Sequence, residues 1–73
     1  SGSQWELQVA DDAAWVRGIA DVAVIEFDGG YVLFEADADG AQAVLQQAAK
    51  RGEVRRFAPR HPTLTEIFRE VVQ

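Results

Sequence analysis

The side chains best able to do chemistry sit in four short stretches of the chain. Glu35-Ala36-Asp37-Ala38-Asp39-Gly40 matches the opening half of a calcium loop, where alternate oxygen ligands and a glycine turn fold the backbone around the ion. Such a loop closes on a bidentate Glu, but the corresponding position here is Gln46, and the ligand position before it is Ala43. The segment leading in alternates like a strand, not a helix, so the stretch reads as a solvated acidic turn. His61 is the one histidine, set between Arg60 and Pro62. Without a thiolate or a second imidazole it makes a poor metal ligand set, and no motif supplies a nucleophile or orienting carboxylate, so it reads as a surface turn residue. Asp11-Asp12 are adjacent carboxylates, and adjacent residues on a helix do not face each other, so they are expected to cap a helix. Arg55, Arg56 and Arg60 form the fourth group. They are the candidate interface for an acidic partner surface.

Several chemistries are excluded outright. There is no cysteine, which removes disulfides, thiolate metal sites and cysteine nucleophiles. The glycines are scattered as turn residues, with neither a phosphate-cradling G-x-x-x-x-G-K-[ST] nor a dinucleotide G-x-G-x-x-G. Tyr31-Val32-Leu33-Phe34-Glu35 lacks the basic-Gly-aromatic pattern of an RNA-binding strand. No catalytic, cofactor or metal residue is therefore expected in this stretch of chain.

Composition bounds the class. At 73 residues the chain has room for one domain, near the lower size at which a core sustains itself. Hydrophobic residues make up 48% and charged residues 26%, which suits a packed domain and not a disordered one. No apolar run approaches the roughly 20 residues of a bilayer span. The net charge of −5 hides an asymmetry. Up to Gly40 the acids Glu6, Asp11, Asp12, Asp21, Glu26, Asp28, Glu35, Asp37 and Asp39 face a single base, Arg17. Beyond it Lys50, Arg51, Arg55, Arg56, Arg60 and Arg69 outnumber Glu53, Glu66 and Glu70. The acidic total argues against nucleic acid, which asks for a basic footprint.

These residues must be positioned by a small number of elements. Gln4–Ala10 alternates, with Trp5, Leu7 and Val9 on one face, as a half-buried strand does. Ala13–Ala20 places Trp15, Val16 and Ile19 at helical spacing, with Gly18 interrupting. Val22–Phe27 and Tyr31–Ala36 are strands joined at Asp28-Gly29-Gly30, a hairpin signal. A second helix is expected over Ala41–Arg51, with Ala41, Val44, Leu45 and Ala48 as its apolar stripe and Gly52 as its stop. Glu53–Phe57 reads as a fourth strand. The chain closes with an amphipathic helix over Thr63–Val72, where Thr63 and Glu66 form a capping box and Leu64, Ile67, Phe68 and Val71 share a face. The order is β-α-β-β-α-β followed by a terminal helix: a ferredoxin-like α+β fold, with helices on one face of a four-stranded antiparallel sheet. Ser1-Gly2-Ser3 looks like a cloning scar, leaving residues 4–73 as a single domain. Whether Trp5 or Tyr31 lies on the uncovered sheet face depends on register, since a one-residue slip swaps faces.

The closing segment carries a resemblance. Gly52-Glu53-Val54-Arg55-Arg56-Phe57, then Pro62-Thr63-Leu64-Thr65-Glu66-Ile67-Phe68-Arg69-Glu70-Val71-Val72, resembles the extreme C-terminus of ATP-binding subunits of bacterial ABC-type transporters. In that family the segment closes a small accessory domain that follows the ATPase. The resemblance implies a fragment of a longer chain whose ATP and magnesium are bound upstream, with no cofactor here. It implies a non-catalytic regulatory or interaction module, supporting dimerisation or docking. The partners expected are its own upstream ATPase domain, the twin subunit in a homodimer, and membrane permease subunits through the parent chain. The implied location is cytoplasmic, peripheral to the inner face of the cell membrane, without direct insertion. The open sheet face, an edge strand or the Arg55/Arg56/Arg60 cluster would make the contact. The alternative is a small-molecule-sensing regulatory domain, whose ligand would sit at the Asp28-Gly29-Gly30 hairpin or the loop after the first strand. An acylphosphatase-like enzyme would need an arginine cradle in that loop, where Asp11-Asp12 have the wrong charge for phosphate.

Overall fold

Alternation in the first half of the chain builds a sheet whose middle strands are the most apolar. The computed structural model describes residues 2–61, so the closing helix expected over Thr63–Val72 lies outside the described residues. Four strands, β1 (Ser3–Val9), β2 (Ala23–Asp28), β3 (Tyr31–Ala36) and β4 (Val54–Arg60), form one antiparallel sheet in the order β2-β3-β1-β4. The helix α1 (Ala38–Arg51) joins β3 to β4. This is the expected α+β class, of ferredoxin-like type.

Register decides the faces. Trp5 pairs with Phe34 and Leu7 with Val32, so Trp5, Leu7 and Val9 share a face with Val32, Phe34 and Ala36. Onto that face α1 lays Ala41, Val44 and Ala48, and the fully buried Leu7, Val32, Phe34 and Val44 form the centre of the core. Glu6, opposite Leu33, and Gln8, opposite Tyr31, point the other way. Tyr31 therefore lies on the face opposite α1, and Trp5 on the core face.

The helix expected over Ala13–Ala20 is a single 3-10 turn, Ala14–Gly18. Its hydrogen bonds run from Val16 N to Ala13 O and from Ile19 N to Val16 O, each 3.1 Å. Between the last residue of β1 and the first of β2 the chain must also cross the sheet and recover strand geometry. Gly18 lowers helix propensity and Asp21 turns the chain with a positive φ of 62°. A short turn with i→i+3 bonds takes the helix's place. It still delivers Val16 to the core, fully buried.

Two boundaries shift for local reasons. The helix α1 begins at Ala38, before the expected Ala41, because Asp37 caps it: its Oδ1 accepts from Gly40 N at 2.8 Å. The strand β4 continues through Pro59 to Arg60, past the expected end at Phe57. Proline lacks a donor but is tolerated on an edge strand, and β4 is an edge. Each edge strand also carries an irregularity: Ile25 is the extra residue of β2 between Val24 and Glu26, opposite Phe34 and Leu33, and Arg55 that of β4 between Val54 and Arg56. Bulges on edges twist the strand and blunt indiscriminate pairing.

Candidate interaction surface

The three arginines do not form one patch. On β4, Arg56 pairs with Gln8 and Arg60 with Gln4, so both belong to the face that α1 leaves uncovered. Arg55 occupies the bulge between them and Val54. Its Nε donates to Glu53 Oε2 at 3.3 Å, an exposed pair of small energetic weight. Arg56 Nε lies 3.6 Å from Glu6 Oε1 on the adjacent strand. Arg60 is half-buried at the end of the strand and is also engaged.

Glu6 is the hub that the sequence did not single out. It sits on β1 between β3 and β4, and its second oxygen, Oε2, accepts from the Tyr31 hydroxyl at 3.0 Å. Burial raises the Tyr31 pKa above its ordinary value, and the hydrogen bond to Glu6 and that carboxylate's charge push the same way. Arg60 opposes the rise. Leu33, directly opposite Glu6, is 2% exposed on this face. The strict alternation of Tyr31, Leu33 and Glu35 with Val32, Phe34 and Ala36 was the available signal for this face. Which polar groups would meet across three strands depends on register.

The strand order also sorts the charge. Glu26 and Asp28 belong to the β2 edge, and Arg55, Arg56 and Arg60 to the β4 edge, with two strands between. Other bases are spent on aromatic rings: Arg17 lies 4.9 Å from the Phe27 centroid and Arg51 4.8 Å from that of Trp15.

The remaining sequence candidates are placed as follows. Asp37 of the calcium-like stretch uses its carboxylate as the α1 cap, while Glu35 and Ala36 belong to β3. Among the described residues no group of three or more histidine and carboxylate side chains could hold a metal ion. Asp12 Oδ1 accepts from Ala14 N at 2.9 Å, a cap-like contact that opens the 3-10 turn. His61 is exposed beyond β4. The two loops proposed for a ligand lie against each other. Val9 N donates to Gly30 O at 2.8 Å and Ala13 N to Gly29 O at 2.9 Å. A Cβ on Gly30 would come within 2.4 Å of Val9 O, so backbone already fills this place. Close by, between Trp15, Ala48 and Arg51, a partly open hollow of about 20 Å³ has room for about one water, and an open depression of about 450 Å³ lies over Asp11, Asp12, Trp15 and Arg51. No helix among the described residues is long and apolar enough to cross a membrane.

Curated proteins and solved structures give no match to this chain. The family described as the C-terminal domain of DrrA1-3-like ATP-binding proteins matches residues 2–72. The chain thus belongs to that family, the C-terminal domains of DrrA1-3-like ATP-binding proteins.

Proposed function

We propose that this domain is a non-catalytic accessory module of a bacterial ABC-type transporter's ATP-binding subunit, where it supports dimerisation or docking of that subunit. Family membership across residues 2–72 carries the reading. The geometry supports it: the charged groups are sorted to opposite sheet edges instead of converging on a cavity. The basic β4 edge suits an acidic surface on the parent's own ATPase domain or on the twin subunit. Such contacts steer and orient partners, and salt screens them. ATP and magnesium would be handled by the ATPase domain, and the permease would be met through the parent chain at the cytoplasmic face. A metabolite-sized ligand needs a cleft of about 300 Å³ or more with convergent polar groups. The stitched Gly29-Gly30 loop favours the interaction module over a ligand sensor, and the depression of about 450 Å³ beside Asp11, Asp12, Trp15 and Arg51 lies open to solvent.

The test is made in the parent ATP-binding protein. Deleting residues 4–73 should leave nucleotide binding intact while weakening subunit dimerisation or permease docking several-fold. Arg55→Glu with Arg56→Glu should reproduce part of that loss and abolish its salt sensitivity. Unchanged assembly and unchanged ATP turnover in the deletion would reject the accessory role.

A further inference from the structure

Both edges of the sheet keep backbone groups that no described strand pairs, and period-two alternation says which. Val9 N donates to Gly30 O and Ala10 N to Glu53 O, so odd residues of β1 face β3 and even ones face β4. Glu6 and Gln8 therefore exchange hydrogen bonds with Ala58 and Arg56, which leaves Phe57 with its N–H and C=O directed outward. Pro59 falls in the same outward set, where a missing N–H breaks no bond. On the other side Leu7 pairs with Val32, so Tyr31 and Leu33 face Asp28 and Glu26, and Phe27 is an outward residue of β2. Phe27 and Phe57 are both half-buried, and both lie on the α1 side of the sheet. The charges around them differ. Glu26 and Asp28 project from the opposite face at the β2 edge, and Arg56 and Arg60 from that same face at the β4 edge.

We propose that the β4 edge of one copy pairs with the β2 edge of a second copy, setting Phe57 opposite Phe27 of the second copy. Each described strand is antiparallel to its neighbour, so β2 and β4 run in opposite directions. A second copy set beside the first in the same orientation thus continues the antiparallel sheet, with both α1 helices on one side. In this register Phe57 and Phe27 exchange two backbone hydrogen bonds and set their rings side by side. Arg56 stands opposite Asp28 of the second copy. Ala58 stands opposite Glu26 of the second copy, which lies diagonal to Arg56 and Arg60. The ladder ends where Pro59 meets the Ile25 bulge and where the Arg55 bulge meets Gly29. Symmetric pairings are worse. Two β2 edges centred on Phe27 would set Glu26 against Asp28 twice, and two β4 edges centred on Phe57 would crowd Arg56 and Arg60 diagonally. So short a contact is weak between free domains, but it suits twin subunits already held together, whose effective concentration is high. The assignment rests on the dimerisation reading above and deepens it by naming what the basic edge meets.

The test uses the 73-residue chain, which has no cysteine of its own. Across the contact Ala58 and Glu26 form a non-hydrogen-bonded pair with Cα atoms about 4.5 Å apart, close enough for a disulfide. Ala58→Cys and Glu26→Cys proteins, mixed and oxidised, should give the mixed dimer several-fold over either homodimer. The yield should fall as salt is raised, and fall again when Asp28→Lys is added to the Glu26→Cys protein. Gln47→Cys, exposed on α1, measures chance collision. Homodimers in excess would overturn the proposal in favour of a symmetric edge contact. A mixed yield no higher than with Gln47→Cys would overturn it altogether. Sedimentation gives a second readout. Glu26→Lys with Asp28→Lys in one chain, and Arg55→Glu with Arg56→Glu in another, should each abolish association, and mixing the two should restore it. A mixture no heavier than its components would count against the pairing. Both readouts come from this chain alone, so their failure would reject the edge contact and leave the accessory role to the deletion in the parent protein.

Discussion

Glu6 Oε2 accepts the Tyr31 hydroxyl at 3.0 Å across two adjacent strands, on the sheet face opposite α1. Burial first, and then the hydrogen bond and charge of Glu6, favour the neutral phenol and raise the Tyr31 pKa. The raised pKa ties stability to alkaline pH. The folded state keeps the phenolic proton to higher pH than the unfolded chain, whose tyrosine titrates near the ordinary 10.0. Its contribution is therefore fully present below about pH 10 and is lost as pH rises through the folded value. Glu6→Gln should move the Tyr31 titration down towards 10, while burial keeps part of the rise. Tyr31 is the one tyrosine, so tyrosinate absorbance reads it directly. An unmoved titration would mean that Glu6 does not hold the hydroxyl in solution.

Phe34 is the largest fully buried side chain, on the central strand β3 beneath α1. Phe34→Ala should cost about 3–5 kcal/mol from lost burial and the cavity left behind. In a domain of this size that lowers the thermal midpoint by more than about 10 °C, or abolishes folding. Thermal unfolding followed by circular dichroism checks it.

The Asp37 cap is local. Asp37→Ala should cost about 1 kcal/mol, and Asp37→Asn much less, because an amide oxygen can also accept from Gly40 N. Denaturant midpoints of the two variants should rank in that order.

Two glycines should respond in opposite ways. A Cβ at Gly30 would meet Val9 O at 2.4 Å and Asp11 O at 2.7 Å, both backbone atoms that cannot yield without moving β1. Gly30→Ala should therefore destabilise by at least about 1 kcal/mol. Gly18 has nothing within 4 Å of such a Cβ. Gly18→Ala should be neutral or stabilising by up to about 1 kcal/mol, through reduced freedom of the unfolded chain. Equal effects at the two sites would contradict the close approach of the hairpin to β1.

Ile25 is 47% exposed in the bulge of edge strand β2. Ile25→Lys should change stability by no more than about 0.5 kcal/mol, a midpoint shift of about 2–4 °C. A larger loss would show that the bulged isoleucine is packed in solution, as by association with another copy.

Much of the fold was legible because its signals are local. The alternation in Trp5-Leu7-Val9, the Asp28-Gly29-Gly30 turn and the Ala41-Val44-Ala48 stripe each specify an element within a few residues, and each is found. The first helix was misread because Trp15, Val16 and Ile19 satisfy helical spacing over one turn, and spacing cannot tell a 3-10 turn from a longer helix. The end of β4 was misread because Pro59 normally stops a strand, and only its place on the sheet edge makes it harmless.

The candidate surface was less legible. Arg55, Arg56 and Arg60 are neighbours in sequence, but the bulge at Arg55 divides them, and their partners Glu53 and Glu6 come from different elements. By itself the sequence determined the α+β class, the alternation of faces, the polarity of the two halves and the exclusion of cysteine and phosphate-loop chemistry. All of these follow from residue type and short-range periodicity. The tertiary structure decided that Trp5 faces the core and Tyr31 the side opposite α1, that Glu6 joins Tyr31 to Arg56, and that acidic and basic edges lie apart. Those outcomes depend on strand order and register, which hydrogen bonding between residues distant in the chain sets, and no local pattern encodes them.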